Sequence, residues 1–290
     1  MNNYRSVAIK AMAGRDLRST LFSMGIYIAI ALGLIVASIM LYTYVGGIME
    51  NGLDVMPSSE TETRYYSERQ QTPEPMLGPL QWAVYIGAVY ITLSASMSIS
   101  RERDQGTMEV LFYGPVDSIA FVVAKFVEQI LAFGVILLFY IGYFLILSKV
   151  SNFALGIGFF KMLILSLLLA GCMASFGMFL SSMTRRVKTS VILFLVFIII
   201  FLTVPVLHSY FMVNFPGNVK GVLSVARQVT SYLNFLVSWI SPFSYLQRGT
   251  VAILLSSNIE FIKSLVFSLL YTAVLLAGSI FIFNKKGVRR

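Results

Sequence analysis

The sequence predicts an all-α integral membrane protein with six transmembrane helices, and three observations carry that prediction. Of 290 residues, 57% are hydrophobic and 12% are charged, whereas a soluble domain carries about 25% charge. The intervals 21–48, 76–100, 129–148, 162–184, 189–219 and 264–284 contain no Asp, Glu, Lys or Arg, and each is close to the roughly 20 residues that cross a bilayer core. Basic residues cluster at alternate boundaries: Arg5, Lys10, Arg15 and Arg18 before the first interval, Arg101 and Arg103 after the second, Arg185, Arg186 and Lys188 after the fourth, and Lys285, Lys286, Arg289 and Arg290 after the last. These clusters share one side only if the number of spans is even, and the positive-inside rule makes that side the cytoplasm. Both ends are therefore expected in the cytoplasm and the chain in the plasma membrane. Without water to satisfy backbone groups, the spans are expected to be helical.

The chain reads as one transmembrane unit, 1–290. In its first segment, 1–20, Tyr4, Val7, Ala8 and Ala11 share a helical face from which Arg5 and Lys10 are excluded, the pattern of an interfacial helix. Gly14 is expected to end it. The following apolar run exceeds the 7–15 residues or so of a signal-peptide core and no small-x-small cleavage site follows, so it is expected to remain as an anchor. The segment 46–78 carries Glu50, Asp54, Glu60, Glu62, Glu68 and Glu74 against Arg64 and Arg69, with Pro57, Pro73 and Pro75, and reads as a solvated outer loop.

Within the second span, Ser94, Ser96, Ser98 and Ser100 spread around the helix and suit close approach of neighbouring helices. Tyr85, Tyr90, Tyr140 and Tyr143 read as packing aromatics, and the lone Cys172 as a small buried side chain. Pro205 is expected to break the fifth span near its outer end, leaving His208 as a polar residue at the membrane edge.

The segment 222–240 is apolar enough to be mistaken for a seventh span. On a helical wheel Val222, Val225, Ala226, Val229, Leu233, Leu236 and Ile240 share one face, and Arg227, Gln228, Ser231, Asn234 and Ser238 the other. A seventh span would also move the basic C-terminal segment outside. The segment is therefore expected to be interfacial or re-entrant. Ser241 and Pro242 then supply an N-cap and a first-turn proline for a second short helix, 242–255. Together they predict an outer helical hairpin, 217–257, ahead of the last span.

Several functions are excluded or disfavoured. The net charge of +9 sits beside the spans and indicates no nucleic-acid partner. No Gly-Lys dipeptide occurs, so no P-loop is present, and one histidine cannot make a His-Glu-x-x-His zinc site. No catalytic constellation, cofactor site or metal site is evident. Ionisable residues nearest the interior, Lys125, Glu128, Lys161 and Lys263, lie near span ends, which disfavours an ion-coupled carrier.

The most informative stretch is 101–118, expected on the cytoplasmic side. Gly106 permits a turn, 107–113 can make two turns of helix, Gly114-Pro115 ends it, and Asp117 or Ser118 can cap the next span. Its Met108, Val110, Leu111 and Phe112 cluster, flanked by Glu102, Arg103 and Glu109, suits docking into a groove on a soluble partner or forms a capped loop.

The string Arg-Glu-Arg-x-x-Gly-Thr-x-Glu-x-Leu-x-x-x-Pro-Val from Arg101, running on toward Lys125, resembles the motif of ABC-2 type permeases, the six-span subunits of one class of ATP-binding-cassette exporters. Glu102, Gly106, Thr107, Glu109, Leu111 and Pro115 match it position by position. Arg15-Asp16-Leu17-Arg18-Ser19 is similar to that family's elbow before span one. Ser241, Pro242 and Tyr245, with Arg248 beyond, are similar to the outer-hairpin motif. The resemblance implies a non-catalytic permease that pairs with a second permease chain, identical or not, and docks on an ABC ATPase holding ATP and Mg. In that reading Glu102, Arg103, Gly106, Thr107, Met108, Glu109, Leu111, Phe112 and Pro115 form the ATPase-coupling segment. An ATPase-driven force transmitter, using the same coupling segment, and an ion-coupled carrier stand as alternatives. The substrate is not legible.

Overall fold

Each charge-free interval lies mainly in a helix, because a backbone with few polar neighbours satisfies itself locally. The computed structural model describes residues 2–53, 76–106, 117–151, 155–214 and 222–287. Nine helices occur among them: α1 (Asn2–Leu21), α2 (Met24–Leu53), α3 (Leu77–Asp104), α4 (Ser118–Ser151), α5 (Ile157–Met183), α6 (Val187–Asn214), α7 (Val222–Ile240), α8 (Pro242–Leu254) and α9 (Asn258–Gly287). Six of these, α2 to α6 and α9, are long and apolar enough to cross a membrane. The acidic stretch 54–75 lies outside the described residues.

The bundle is built around α3 and α5, which make its most extensive contact, with α9 against α5, α2 against α3 and α1 along α4. Small residues set that centre. Gly177 of α5 lies so close to α3 that a Cβ there would sit 2.5 Å from the Thr92 carbonyl oxygen and 3.0 Å from the Ser96 nitrogen. Aromatic packing fills the flanks: Tyr140 is buried with its hydroxyl donated to the Ala29 carbonyl at 3.2 Å, and Tyr85 packs edge-on against Phe243 of α8 at 5.4 Å. Cys172 is buried and donates to the Ser268 carbonyl at 3.3 Å.

Two helix breaks expected from the sequence do not occur. Gly14 is interior to α1, because Met12, Ala13 and Leu17 pack against the bundle on either side of it and glycine costs a helix only about 1 kcal/mol. The side of α1 that faces the protein carries Ile9, Met12 and Ala13, while Val7 and Ala11 of the expected apolar face point away from it. Pro205 is likewise interior to α6, the lost backbone donor being tolerated within membrane helices. Helix α2 also runs past residue 46 to Leu53, since no proline intervenes before Pro57.

Helices α7 and α8 form a hairpin whose tip enters the bundle. The Tyr271 hydroxyl donates to the Ile240 carbonyl at 2.7 Å, and Tyr271 lies about 20 Å along α9 from Asn258 at 1.5 Å rise per residue. Tyr245 donates to the Trp239 carbonyl at 2.9 Å. Two tyrosine hydroxyls thus satisfy carbonyls left orphaned where α7 ends. Ser241 occupies the N-cap position of α8 with extended backbone but makes no side-chain capping bond, and Pro242 follows at the first turn. Val237 inserts beside Phe176, Leu180, Phe194 and Phe201, fixing α7 on α6, while Val225, Val229, Leu233, Leu236 and Ile240 remain exposed.

Candidate functional site

The end of α3 gathers contacts from five other helices. Its last turn closes through Gln105 N–H to the Arg101 carbonyl at 3.0 Å and Gly106 N–H to the Arg103 carbonyl at 3.2 Å. Gly106 has φ of +68°, which a residue with a Cβ adopts at a cost of about 1–2 kcal/mol. A Cβ at this glycine would meet nothing within 4 Å, so the requirement is conformational. Gly106→Ala is expected to lower thermal stability in detergent by an amount within that range; an unchanged midpoint would show that the turn is not held.

Backbone groups of α3 are bonded from outside. The Ser181 hydroxyl oxygen accepts from Ile99 N–H at 3.1 Å and Ser100 N–H at 2.9 Å. The Ser190 hydroxyl donates to the Ser96 carbonyl at 2.6 Å. Arg103 donates through Nη1 to the Ser182 and Thr184 carbonyls at 2.9 and 3.1 Å, neutralising the negative end of α5. Its guanidinium carbon lies 5.3 Å from the centroid of Phe283 on α9, which stacks on Phe121 of α4. Ser118 and Asn284 join α4 to α9 by a further hydrogen bond.

A charge cluster completes the junction. Lys125 lies about 10 Å along α4 from Ser118, and its Nζ is 2.8 Å from Asp16 Oδ2 and 2.6 Å from Glu102 Oε1. Side-chain exposures of 8% for Lys125, 14% for Asp16 and 12% for Glu102 place these charges where removal of one partner is costly. Burial pushes the Asp16 carboxyl up, but Lys125 and Arg15 outweigh it and hold the group below the usual carboxylate range. Beside them Thr20 donates to Glu128 at 2.7 Å, and Gln129 donates to the same oxygen at 3.3 Å. A cavity of about 210 Å³ opens among these residues. The junction ties α1, α3 and α4 by charge, and α3 to α5 and α9 through Arg103.

The sequence profile of the ABC-2 family transporter proteins matches residues 11–288, nearly the whole chain. The chain belongs to this family. No curated protein matches it. Family membership and six apolar helices make it a multi-pass membrane protein of the ABC-2 transporters.

In this ABC-2 transporter protein, Glu102, Arg103 and Gly106 come together at the junction. The first two are engaged within the chain, Glu102 by Lys125 and Arg103 by the end of α5. Thr107, Met108, Glu109, Leu111, Phe112 and Pro115 lie outside the described residues. Ser241, Pro242, Tyr245 and Arg248 belong to the hairpin, toward the other side of the bundle. Asp16, Thr20, Lys125 and Glu128 escaped the sequence-based choice of site residues. Their signal was present: Lys125 and Glu128 stand in a predominantly apolar helix, and such charges require partners.

Proposed function

We propose that this ABC-2 protein is the permease subunit of an ATP-driven exporter, working as a dimer with each chain docked on a separate ABC ATPase. The face carrying the junction is the cytoplasmic one, with both ends of the chain on it, and the membrane is the plasma membrane. ATP and Mg belong to the partner. The chain itself performs no chemistry, and nucleic acid is not among its ligands.

The observation that carries the reading is the fixation of α3's end on five neighbouring helices, directly ahead of the segment 107–113. A force applied by the ATPase to that segment enters α3 through the Gly106 turn. It then reaches α1 and α4 through the ion pairs of Lys125, and α5 through Arg103. Glu102 and Arg103 act as positioning residues that hold the segment's root, while Thr107, Met108, Glu109, Leu111 and Phe112 form the contact and Pro115 ends it.

A photo-crosslinking amino acid at Met108 or Leu111 is expected to capture the co-expressed ATPase. Glu109→Lys combined with Gly106→Pro is expected to abolish both capture and ATP-dependent export. Retained ATPase association and export in the double variant would refute the coupling role.

A further inference from the structure

We propose that the cavity between the hairpin and helices α6 and α9 binds the anionic headgroup of an amphiphile, with Arg248 as the cation that recognises its charge. The cavity, of about 500 Å³, lies on the hairpin side and is lined from α6 by His208, from α7 by Asn234 and Ser238, and from α8 by Gln247 and Arg248. These side chains supply hydrogen-bond donors to one shared space that is partly open to solvent.

Arg248 is the group the fold leaves uncompensated. It lies about 10 Å up α8 from the hairpin tip, itself about 20 Å below the start of α9, so the guanidinium sits below the level of Asn258. Among the described residues no carboxylate lies within ion-pair distance of it. Its polar contacts are with the Ser238 carbonyl and hydroxyl at 3.4 Å, long for hydrogen bonds to a cation. Its guanidinium carbon lies 5.2 Å from the Trp239 ring centroid and 6.0 Å from that of Tyr245. The acid lining the cavity, Glu260, is paired to Lys263 at 2.6 Å. The charges of that pair cancel, leaving Arg248 as the net positive charge in a space with partial access to water. Cations at membrane depth face cavities and mark ligand paths.

The cavity's remaining wall selects an amphiphile over a free anion. Val251, Leu255 and Phe267 line it and are exposed, so apolar surface continues outward beside the polar donors. A headgroup can meet Arg248 while its chains remain against that surface.

Trp239 lies against Arg248 and makes the site self-reporting. The chain has one other tryptophan, Trp82, which Trp82→Phe removes. In that background, purified full-length chain in a nonionic maltoside detergent is titrated with dioctanoyl phosphatidylglycerol, dioctanoyl phosphatidylcholine and inorganic phosphate, and Trp239 emission is followed. Phosphatidylglycerol is expected to give a saturable change with a half-saturation at least about tenfold below that of phosphatidylcholine, the worth of one charge-assisted contact. Arg248→Lys should retain the response and Arg248→Gln should weaken it by about the same factor. Equal responses to the two lipids, or an unchanged response in the folded Arg248→Gln chain, would overturn the headgroup site. A response to inorganic phosphate matching that to phosphatidylglycerol would overturn the amphiphile. No ATPase is present in the assay, so its result is independent of the coupling role.

Discussion

Replacing Lys125 by methionine is expected to cost about 3–5 kcal/mol, the penalty for leaving buried charges without their partner. Lys125 pairs with Glu102 at 2.6 Å and, together with the more exposed Arg15, with Asp16. The variant chain must either leave these carboxylates enclosed with this cation missing, protonate them, or open the seam between α1 and α4. Thermal denaturation in detergent should fall accordingly, and on the proposed function ATP-dependent export should fail even where folded chain is recovered. The companion variant is decisive: adding Asp16→Leu and Glu102→Leu removes the stranded charges and should restore most of the stability, since apolar replacement of a whole buried cluster is often neutral or better. Export should not return, because the pairs joining the ends of α1, α3 and α4 are gone. A Lys125→Met chain that melts like the parent would show the cluster to be hydrated and dispensable.

The second large effect is expected at Gly177. Overpacking a tight core costs about 1–3 kcal/mol and more where nothing can yield, and here the obstacles are backbone atoms. Even alanine would place its Cβ 2.5 Å from the Thr92 oxygen, 2.9 Å from the Ala95 Cβ and 3.0 Å from the Ser96 nitrogen. Only separation of α3 from α5 relieves this, which disturbs the bonds from Ser181 as well. Gly134→Ala is the control: its added Cβ meets nothing within 4 Å, and in a helix the change should be neutral or stabilise by up to about 1 kcal/mol. Equal melting of Gly177→Ala and Gly134→Ala would contradict the close α3–α5 contact.

The parts of this architecture legible in the sequence are those set by local pattern. Charge-free length marks the six spans, and the opposed apolar and polar faces of 222–240, followed by Ser241-Pro242, mark a hairpin rather than a seventh crossing. Continuity through Gly14 and Pro205 was not legible, because each residue's local cost is outweighed by packing contributed elsewhere. The charge cluster was only half legible. Lys125 and Glu128 announce a need for partners, but Thr20 and Glu128 are 108 positions apart, and nothing local to α4 indicates that α1 folds back along it. Glu102 and Arg103 look like surface anchors in sequence for the same reason. Their partners arrive from distant helices.

The central position of α3 has a consequence for how the chain is made. Of the six spans α3 is the least apolar, while α6 and α9, with much more exposed surface, are richer in large aliphatic and aromatic side chains. Lipid selects for apolar surface only where it touches, so a helix enclosed by protein can carry serines at Ser96 and Ser100 that a solitary helix in hydrocarbon would carry at a cost. During synthesis α3 emerges well before α5 and α6, whose Ser181 and Ser190 bond to its backbone. Its packing in the bundle is therefore incomplete until those helices follow. The centre of this fold is thus closed by side chains that come from later in the chain.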